Sequence, residues 1–384
     1  MRIVYCLPQI DHPGGIERIV SIKANSLVRD YGCEVYIIVA QRNDEPYYSL
    51  DDRIRVINLD VNFQATVAMP LLQRLLAKKN LKLTYKKRLE NKLIEISPDI
   101  TISTFNQEAD ILPKLRDGSK KIIELHFCRH YRNIQAKYFH LPFMVRILYR
   151  ILDWYEERTI FMKYDNFIVL TKEDATDWKR LIPSVKYIPN MITLQDKGSS
   201  SLLNKEAIAV GRLDGQKGFD SLISIWKKVH EENPGWHLKI YGDGQDKETL
   251  QHQIDELELN DTIKLCGSCK DIQQKYLQSS ILLMTSNYEG WGLVLTEGMQ
   301  CGLPAVAYTC KCGPRDIITD SEDGFCIDHG NQNKFVEKTI SLLNNEDLRI
   351  RFGKAAKENV QRYSQERIMR QWYELFKSIS NRYE

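Results

Sequence analysis

Ile281-Leu-Leu-Met-Thr285-Ser-Asn-Tyr-Glu289-Gly-Trp-Gly-Leu293-Val-Leu-Thr-Glu297-Gly-Met-Gln-Cys-Gly-Leu-Pro304 is the stretch whose reading decides the fold. It opens on an uninterrupted apolar run, Ile281–Thr285, as expected of a strand buried on both faces of a parallel sheet. Gly290 and Gly292 then let the backbone turn and approach a ligand closely, and a helix is predicted to start near Leu293. Strand, glycine turn and helix together are the unit of open α/β sheets, whose ligands lie beyond the carboxyl ends of the strands. The helix start offers free N–H groups and a positive dipole end, which suit a phosphate. Glu289 lies in the turn and Glu297 in the opening turns of the helix. Either carboxylate can accept from paired hydroxyls of a sugar or a ribose. Read alone, Glu289 is equally a solvated loop residue and Glu297 a partner of the helix dipole.

Working outward, the same unit recurs. Apolar runs at Ile3–Leu7, Val35–Ala40, Asp99–Ser103, Lys121–Phe127 and Phe167–Leu170 read as strands, and Ile16–Tyr31 has helical periodicity. A second series follows at Ala207–Gly211, His237–Tyr241, Thr262–Cys266, Ile281–Thr285 and Pro304–Ala307. The expectation is an α/β chain of two doubly wound, Rossmann-like domains, residues 1–190 and 191–362, facing each other across a cleft. The polar stretch Asp196–Ser201 reads as a flexible joint between them.

The chain has 384 residues, enough for two ordinary cores, and 43% of them are hydrophobic. Residues 1–190 carry 30 Lys+Arg against 23 Asp+Glu, a net of +7, and the remainder 24 against 28, a net of −4. A basic front half suggests an anionic partner there, while an overall charge of only +3 and no visible nucleic-acid module argue against nucleic acid. The first residues read as a strand rather than a signal segment, and no apolar run nears the roughly 20 residues of a membrane span. Nine scattered cysteines without a disulfide framework point to a reducing cytoplasm. Cys266 with Cys269, and Cys310 with Cys312, could bring four thiolates to zinc or be free thiols in two loops; the expectation is no metal and no cofactor.

Further motifs follow strands. Gly211-Arg212-Leu-Asp-Gly-Gln-Lys217-Gly places one arginine and one lysine on a glycine-bearing loop, able to grip a diphosphate or simply to be a basic surface loop. Tyr241-Gly242-Asp-Gly244 fails as a dinucleotide fingerprint, because position 247 is lysine. In the front half, Asp11-His-Pro-Gly14-Gly15-Ile-Glu17-Arg18 joins the first strand to the first helix. His126 ends a predicted strand, and His130 lies four residues on. No Asp-x-Asp pair, of the kind that can hold a divalent ion against a diphosphate, occurs anywhere in the chain.

Taken together, these motifs resemble family 4 retaining glycosyltransferases, of the GT-B fold and the group 1 type. Glu289 to Glu297 has that family's E-x7-E spacing, and Gly-Arg-Leu-x-x-x-Lys-Gly and Gly-Gly-x-Glu-Arg match its other signatures; Trp291 departs in side chain but stays aromatic. The resemblance implies that Glu289 contacts the donor sugar and Glu297 the ribose. Arg212 and Lys217 would hold the pyrophosphate, and the amides of Leu293 and Val294 would cap the distal phosphate. Gly14, Gly15, Gly211, Gly242, Gly267 and Gly290 would line the donor site, Gly267 beside the base. Glu289, His126, Arg212 and Lys217 are the catalytic candidates, and a final helix within 363–384 would cross back to the front domain.

The implied activity is metal-independent transfer of a hexosyl group, with retention, from a nucleotide-sugar, most often UDP-linked, to a glycan or lipid-linked acceptor in cell-surface polysaccharide or lipopolysaccharide synthesis. A nucleotide-sugar epimerase of the same shape, or a non-catalytic sugar-nucleotide-binding subunit, are the alternatives. Within 74–92 stand Arg74, Lys78, Lys79, Lys82, Lys86, Lys87, Arg88 and Lys92 against Glu90 alone, interleaved with leucines. This stretch reads as a peripheral contact with the inner face of a membrane or as a solvated face, and 139–155 is a second candidate.

Overall fold

The computed structural model describes residues 1–139 and 141–380, so His140 of the second membrane candidate and residues 381–384 of the expected last helix lie outside the described residues. The front domain is built on seven strands: β1 (Arg2–Leu7), β2 (Glu34–Val39), β3 (Arg55–Asn58), β4 (Ile100–Ser103), β5 (Lys120–Glu124), β6 (Asn166–Val169) and β7 (Lys186–Tyr187). They form one parallel sheet in the order β3-β2-β1-β4-β5-β6-β7. In the central register Ile3 sits between Val35 and Ile100, a row of buried β-branched side chains on one face, while Val4 and Tyr36 are buried on the other. Helices α1 (Gly15–Arg29), α2 (Leu71–Ile96), α3 (Tyr131–Tyr138), α4 (Phe143–Thr159) and α5 (Lys172–Lys179) belong to this half.

The back domain repeats the plan. β8 (Glu206–Val210), β9 (His237–Tyr241), β10 (Ile263–Leu265), β11 (Ile281–Met284), β12 (Ala305–Tyr308) and β13 (Gly324–Ile327) make a parallel sheet in the order β10-β9-β8-β11-β12-β13. Helices α6 (Phe219–Glu232), α7 (Lys247–Glu256), α8 (Ile272–Gln278), α9 (Leu293–Gln300), α10 (Pro314–Ile317), α11 (Gln332–Asn344) and α12 (Glu346–Val360) accompany it. In each sheet the strand order reverses beside the first strand, between β1 and β4 and between β8 and β11, which is where such sheets open a ligand crevice.

Helix α13 (Gln365–Ile379) packs on α1 of the front domain, with Tyr373 against Tyr31 at 4.3 Å between ring centroids. Its Trp372 covers Lys23, whose ammonium lies 3.8 Å from the indole centroid and pairs with Glu124, all three side chains buried. Burial pulls the Lys23 ammonium below its usual range, and the Glu124 carboxylate opposes that fall.

Two features depart from expectation. The stretch 196–201 is anchored: Ser200 donates its N–H to the Cys301 carbonyl at 2.8 Å, and Lys357 bonds Asp196 at 2.8 Å. Its polar groups find fixed partners at the residue after α9 and on α12, so composition alone overstated its freedom. Strand β5 ends at Glu124, so His126 lies in the following loop. The short strands β3 and β7, with few apolar residues, gave no readable run; β13 begins on a glycine.

Candidate active site

The loops after β8, β9, β10 and β11 converge at the carboxyl edge of the back sheet, and the glycines hold them together. Gly211 donates its N–H to Tyr241 at 2.9 Å and Gly242 donates to Gly267 at 2.9 Å. The backbone of Gly242 lies so close to Gly211 that any Cβ on it would fall 1.8 Å from the Gly211 carbonyl oxygen. Gly211, Gly242 and Gly267 therefore form one continuous backbone surface. The loop 211–218 is stitched to the loop 286–292: Asn287 donates its N–H to the Gln216 carbonyl at 2.8 Å and its side-chain amide to Gly215 at 2.7 Å.

On that surface Lys217 reaches Glu289, Nζ to Oε1 2.7 Å, with both side chains largely out of solvent. The turn carrying Glu289 is fixed by its own N–H, which donates to the Lys311 carbonyl at 3.1 Å. Arg212 instead extends outward, 69% exposed, and bonds Asp214 at 2.8 Å. Gly292 takes a left-handed conformation (φ 100°) and hands the chain to α9, whose first residues are Leu293 and Val294. Leu295 already bonds back to Gly292, so the amides of Leu293 and Val294 form the helix mouth.

The front domain closes over this surface. A Cβ on Gly15 would lie 3.3 Å from the Leu293 side chain, so the start of α1 meets the start of α9, with Gly14 as the residue before α1. Gly290 is pressed against the loop after β5: a Cβ there would fall 1.8 Å from the His126 carbonyl oxygen, which makes glycine obligatory. Glu297 is the junction of the two domains. Its Oε1 accepts from Arg18 of α1 at 2.6 Å and from the Thr193 hydroxyl at 2.6 Å, and its Oε2 from the Tyr276 hydroxyl at 3.2 Å. Thr193 and Tyr276 belong to no motif read from the sequence, and Arg18, which ends the Gly14–Arg18 string, has no spacing that links it to Glu297. Beside Ile16 a cavity of about 550 Å³ runs to Lys82 of α2 and Tyr155 of α4.

His126 is brought to the cleft by its backbone, while its ring turns inward, buried, 3.5 Å from the Glu124 carboxylate, with Nε2 lacking a hydrogen-bond partner. Burial pulls the imidazole down to about 4; Glu124 opposes this and Lys23 adds to it. His130 sits apart at the start of α3 and bonds Asp153 at 3.1 Å. A neutral native imidazole costs stability in acid, because between about pH 6.5 and about pH 4 the unfolded chain binds a proton that the native one refuses. This contribution is complete above that window and is lost as pH falls through it. His126→Gln is expected to remove up to about 3 kcal/mol of the acid-side fall in stability, read by urea unfolding of both proteins across the window. Parallel curves for the two proteins would show that the ring is not held neutral.

Among the described residues no group of three or more His, Cys, Asp or Glu is placed to hold a metal ion. Cys312 lies with Cys128 and Tyr288 in a small buried cluster, Cys310 belongs to the main core, and Cys266 and Cys269 lie apart on the loop after β10.

This arrangement has known relatives. Residues 194–359 match the family model of glycosyl transferases group 1. That match lies in the back domain. It is 39% identical over 168 residues to the amylovoran biosynthesis glycosyltransferase AmsD of Erwinia amylovora, a match covering 44% of this chain and 47% of that protein. The chain thus spans about half the length of that relative. A Campylobacter jejuni alpha-1,4-N-acetyl-D-galactosaminyltransferase, named with a diNAcBac-PP-undecaprenol glycan, is 24% identical over 391 residues and matched across 99% of both chains. Among solved structures, a mutant of S. aureus TarM in complex with fondaparinux, alpha-GlcNAc-glycerol and UDP superposes with a TM-score of 0.75 at 17% identity, over 98% of this chain and 99% of that one. The fold of this chain is GT-B, two Rossmann-like domains on parallel sheets.

Proposed function

We propose that this glycosyltransferase moves a hexosyl group from a UDP-sugar to a glycan or lipid-linked acceptor, with retention and without a divalent metal, in the synthesis of cell-surface polysaccharide or lipopolysaccharide. The observation that carries the reading is the pairing of Lys217 with Glu289 at the mouth of α9, while Glu297 binds across to the front domain. The pair supplies one cation for the departing diphosphate and one carboxylate for the sugar hydroxyls. In this reading the Leu293 and Val294 amides cap the distal phosphate, and Arg212 swings from Asp214 to add a second cation as negative charge builds on the leaving oxygen. Gly211, Gly242 and Gly267 present backbone to the nucleotide, with Gly14, Gly15 and Gly290 closing over the sugar. His126 forms the floor, and the cavity beside Ile16 admits the acceptor. No carboxylate is an evident covalent nucleophile, so attack on the face of departure accounts for retention. The UDP-bound TarM complex and the undecaprenol-linked name of the Campylobacter relative support the donor and acceptor classes.

A screen of UDP-, GDP- and ADP-sugars for hydrolysis and thermal stabilisation tests the donor, and the anomeric configuration of the product tests retention. An epimerised nucleotide-sugar as product would favour the epimerase alternative. Turnover is expected to persist in excess EDTA, since the chain has no Asp-x-Asp and Lys217 and Arg212 stand in for the ion; activity abolished by EDTA and restored by magnesium or manganese would overturn this.

The reading includes peripheral contact with an anionic membrane through 74–92. On α2, Lys78, Lys79, Lys86 and Lys87 are exposed beside exposed Leu75, Leu76 and Leu83, while Tyr85, Leu89 and Leu93 face the core. Among the described residues no helix is long and apolar enough to cross a membrane.

A further inference from the structure

Helix α4 carries the largest run of exposed apolar side chains on the front domain. Phe143 is 67% exposed, Met144 72% and Trp154 56%, and Leu148, Ile151 and Tyr155 are each more than half exposed. At 3.6 residues per turn these six share one side of the helix. A monomeric surface seldom leaves a continuous apolar strip of this kind uncovered. At the C-terminal end of the strip Arg158 lies over the Trp154 ring at 5.2 Å.

Along one border of the strip runs a groove of about 490 Å³ between α3 and α4, with Lys311 of the back domain at its end. Its lining holds Arg129, Lys137, Arg146, Arg150 and Lys311 and no carboxylate. Arg129 is answered by Glu157 and Lys311 by Asp177. Among the described residues Lys137, Arg146 and Arg150 have no carboxylate within ion-pair distance. Three unanswered cations beside an apolar strip make an amphipathic surface with charge at its edge.

We propose that this α3–α4 surface docks on an anionic phospholipid bilayer, with headgroup phosphates in the Lys137–Arg146–Arg150 groove and the α4 strip, Trp154 included, among the outer acyl chains. The charge complementarity selects the occupant: a second copy of the chain would have to bring carboxylates to the groove, and a neutral apolar ligand would leave its cations unanswered. The inference rests on the reading of an acceptor presented at a membrane and deepens it, moving insertion from α2 to α4. Vesicle binding is measured without any sugar donor, so loss of either result leaves the other standing.

Trp154 makes the test specific. The chain has six tryptophans, and the other five are at most 4% exposed. The full chain is mixed with phosphatidylglycerol vesicles carrying brominated acyl chains, and with brominated phosphatidylcholine vesicles, and tryptophan emission is followed. The expected result is quenching on the anionic vesicles, little on the neutral ones, and loss of the quenched component in Trp154→Phe. Removing the three cations as Lys137→Gln, Arg146→Gln and Arg150→Gln should lower partitioning by on the order of 100-fold. High salt should do likewise, the Debye length falling to about 3 Å at 1 M. Exchange of Lys78, Lys79, Lys86 and Lys87 for Gln should weaken binding but leave Trp154 quenched in the fraction that remains bound. No quenching of Trp154, equal quenching on both lipids, or unchanged partitioning of the triple variant would overturn the proposal. So would a dimer in sedimentation that Leu148→Gln with Ile151→Gln dissociates, since the strip would then belong to a second copy.

Discussion

Lys217→Ala is expected to lower turnover by on the order of 100-fold or more, and the double variant with Arg212→Ala to lower it further. Two effects combine at Lys217. The departing diphosphate loses a positioned cation, and Glu289, 2.7 Å away and largely buried, is left without its counter-charge. Arg212 contributes differently, because in this state it is exposed and held by Asp214 at 2.8 Å, so its benefit arises only as charge develops. Its loss should fall on kcat with little change in thermal stability, whereas Lys217→Ala should also lower Tm. Steady-state kinetics beside thermal melts separate the two. Near-native turnover in the double variant would place the diphosphate elsewhere.

Glu297→Ala is expected to weaken binding of the free nucleotide by roughly ten- to a hundredfold, the range for hydrogen bonds to a charged group. Glu289→Ala, by contrast, leaves nucleotide affinity close to wild type and mainly lowers turnover. The distinction is positional: Glu297 stands inside α9 under the helix mouth, and Glu289 stands in the turn before it. Glu297 already accepts from Arg18, Thr193 and Tyr276, and a carboxylate has about four acceptor sites, so a ribose hydroxyl must share or displace one of them. If the ribose displaces Arg18, Arg18→Ala should not weaken the nucleotide and should loosen the front domain from the back. Calorimetry of UDP against all three variants decides it; retained affinity in Glu297→Ala with lost affinity in Glu289→Ala would reverse the two roles.

The local pattern settled a good deal. Buried runs such as Ile281–Met284 and Val35–Val39, short and bounded by turn residues, read as strands covered on both faces, because no solvent face is left for alternation. Glycines placed just after strands located the loops that carry Glu289, Arg212 and Lys217, and α9 starts at Leu293 as its pattern predicts. These features are short-range in sequence, and short-range chemistry is legible without a structure. Edge strands were not: Lys186–Tyr187 has two residues and joins a sheet only because β6 offers a free edge.

What tertiary structure alone decided is which distant groups meet. Arg18 and Glu297 are 279 positions apart, and nothing in either motif announces the other. Glycine at 290 reads as flexibility in the sequence, yet its necessity is steric and comes from the His126 carbonyl of the other domain. His126 itself was found by its place after a strand, but the direction of its ring is set by the buried Glu124–Lys23 pair beneath it, which α13 covers from the end of the chain. The apolar strip of α4 is the clearest case. Periodicity marks an amphipathic helix and is silent on which face is covered, since burial depends on what the rest of the chain brings against it, and here the rest of the chain left Phe143, Leu148 and Trp154 facing outward.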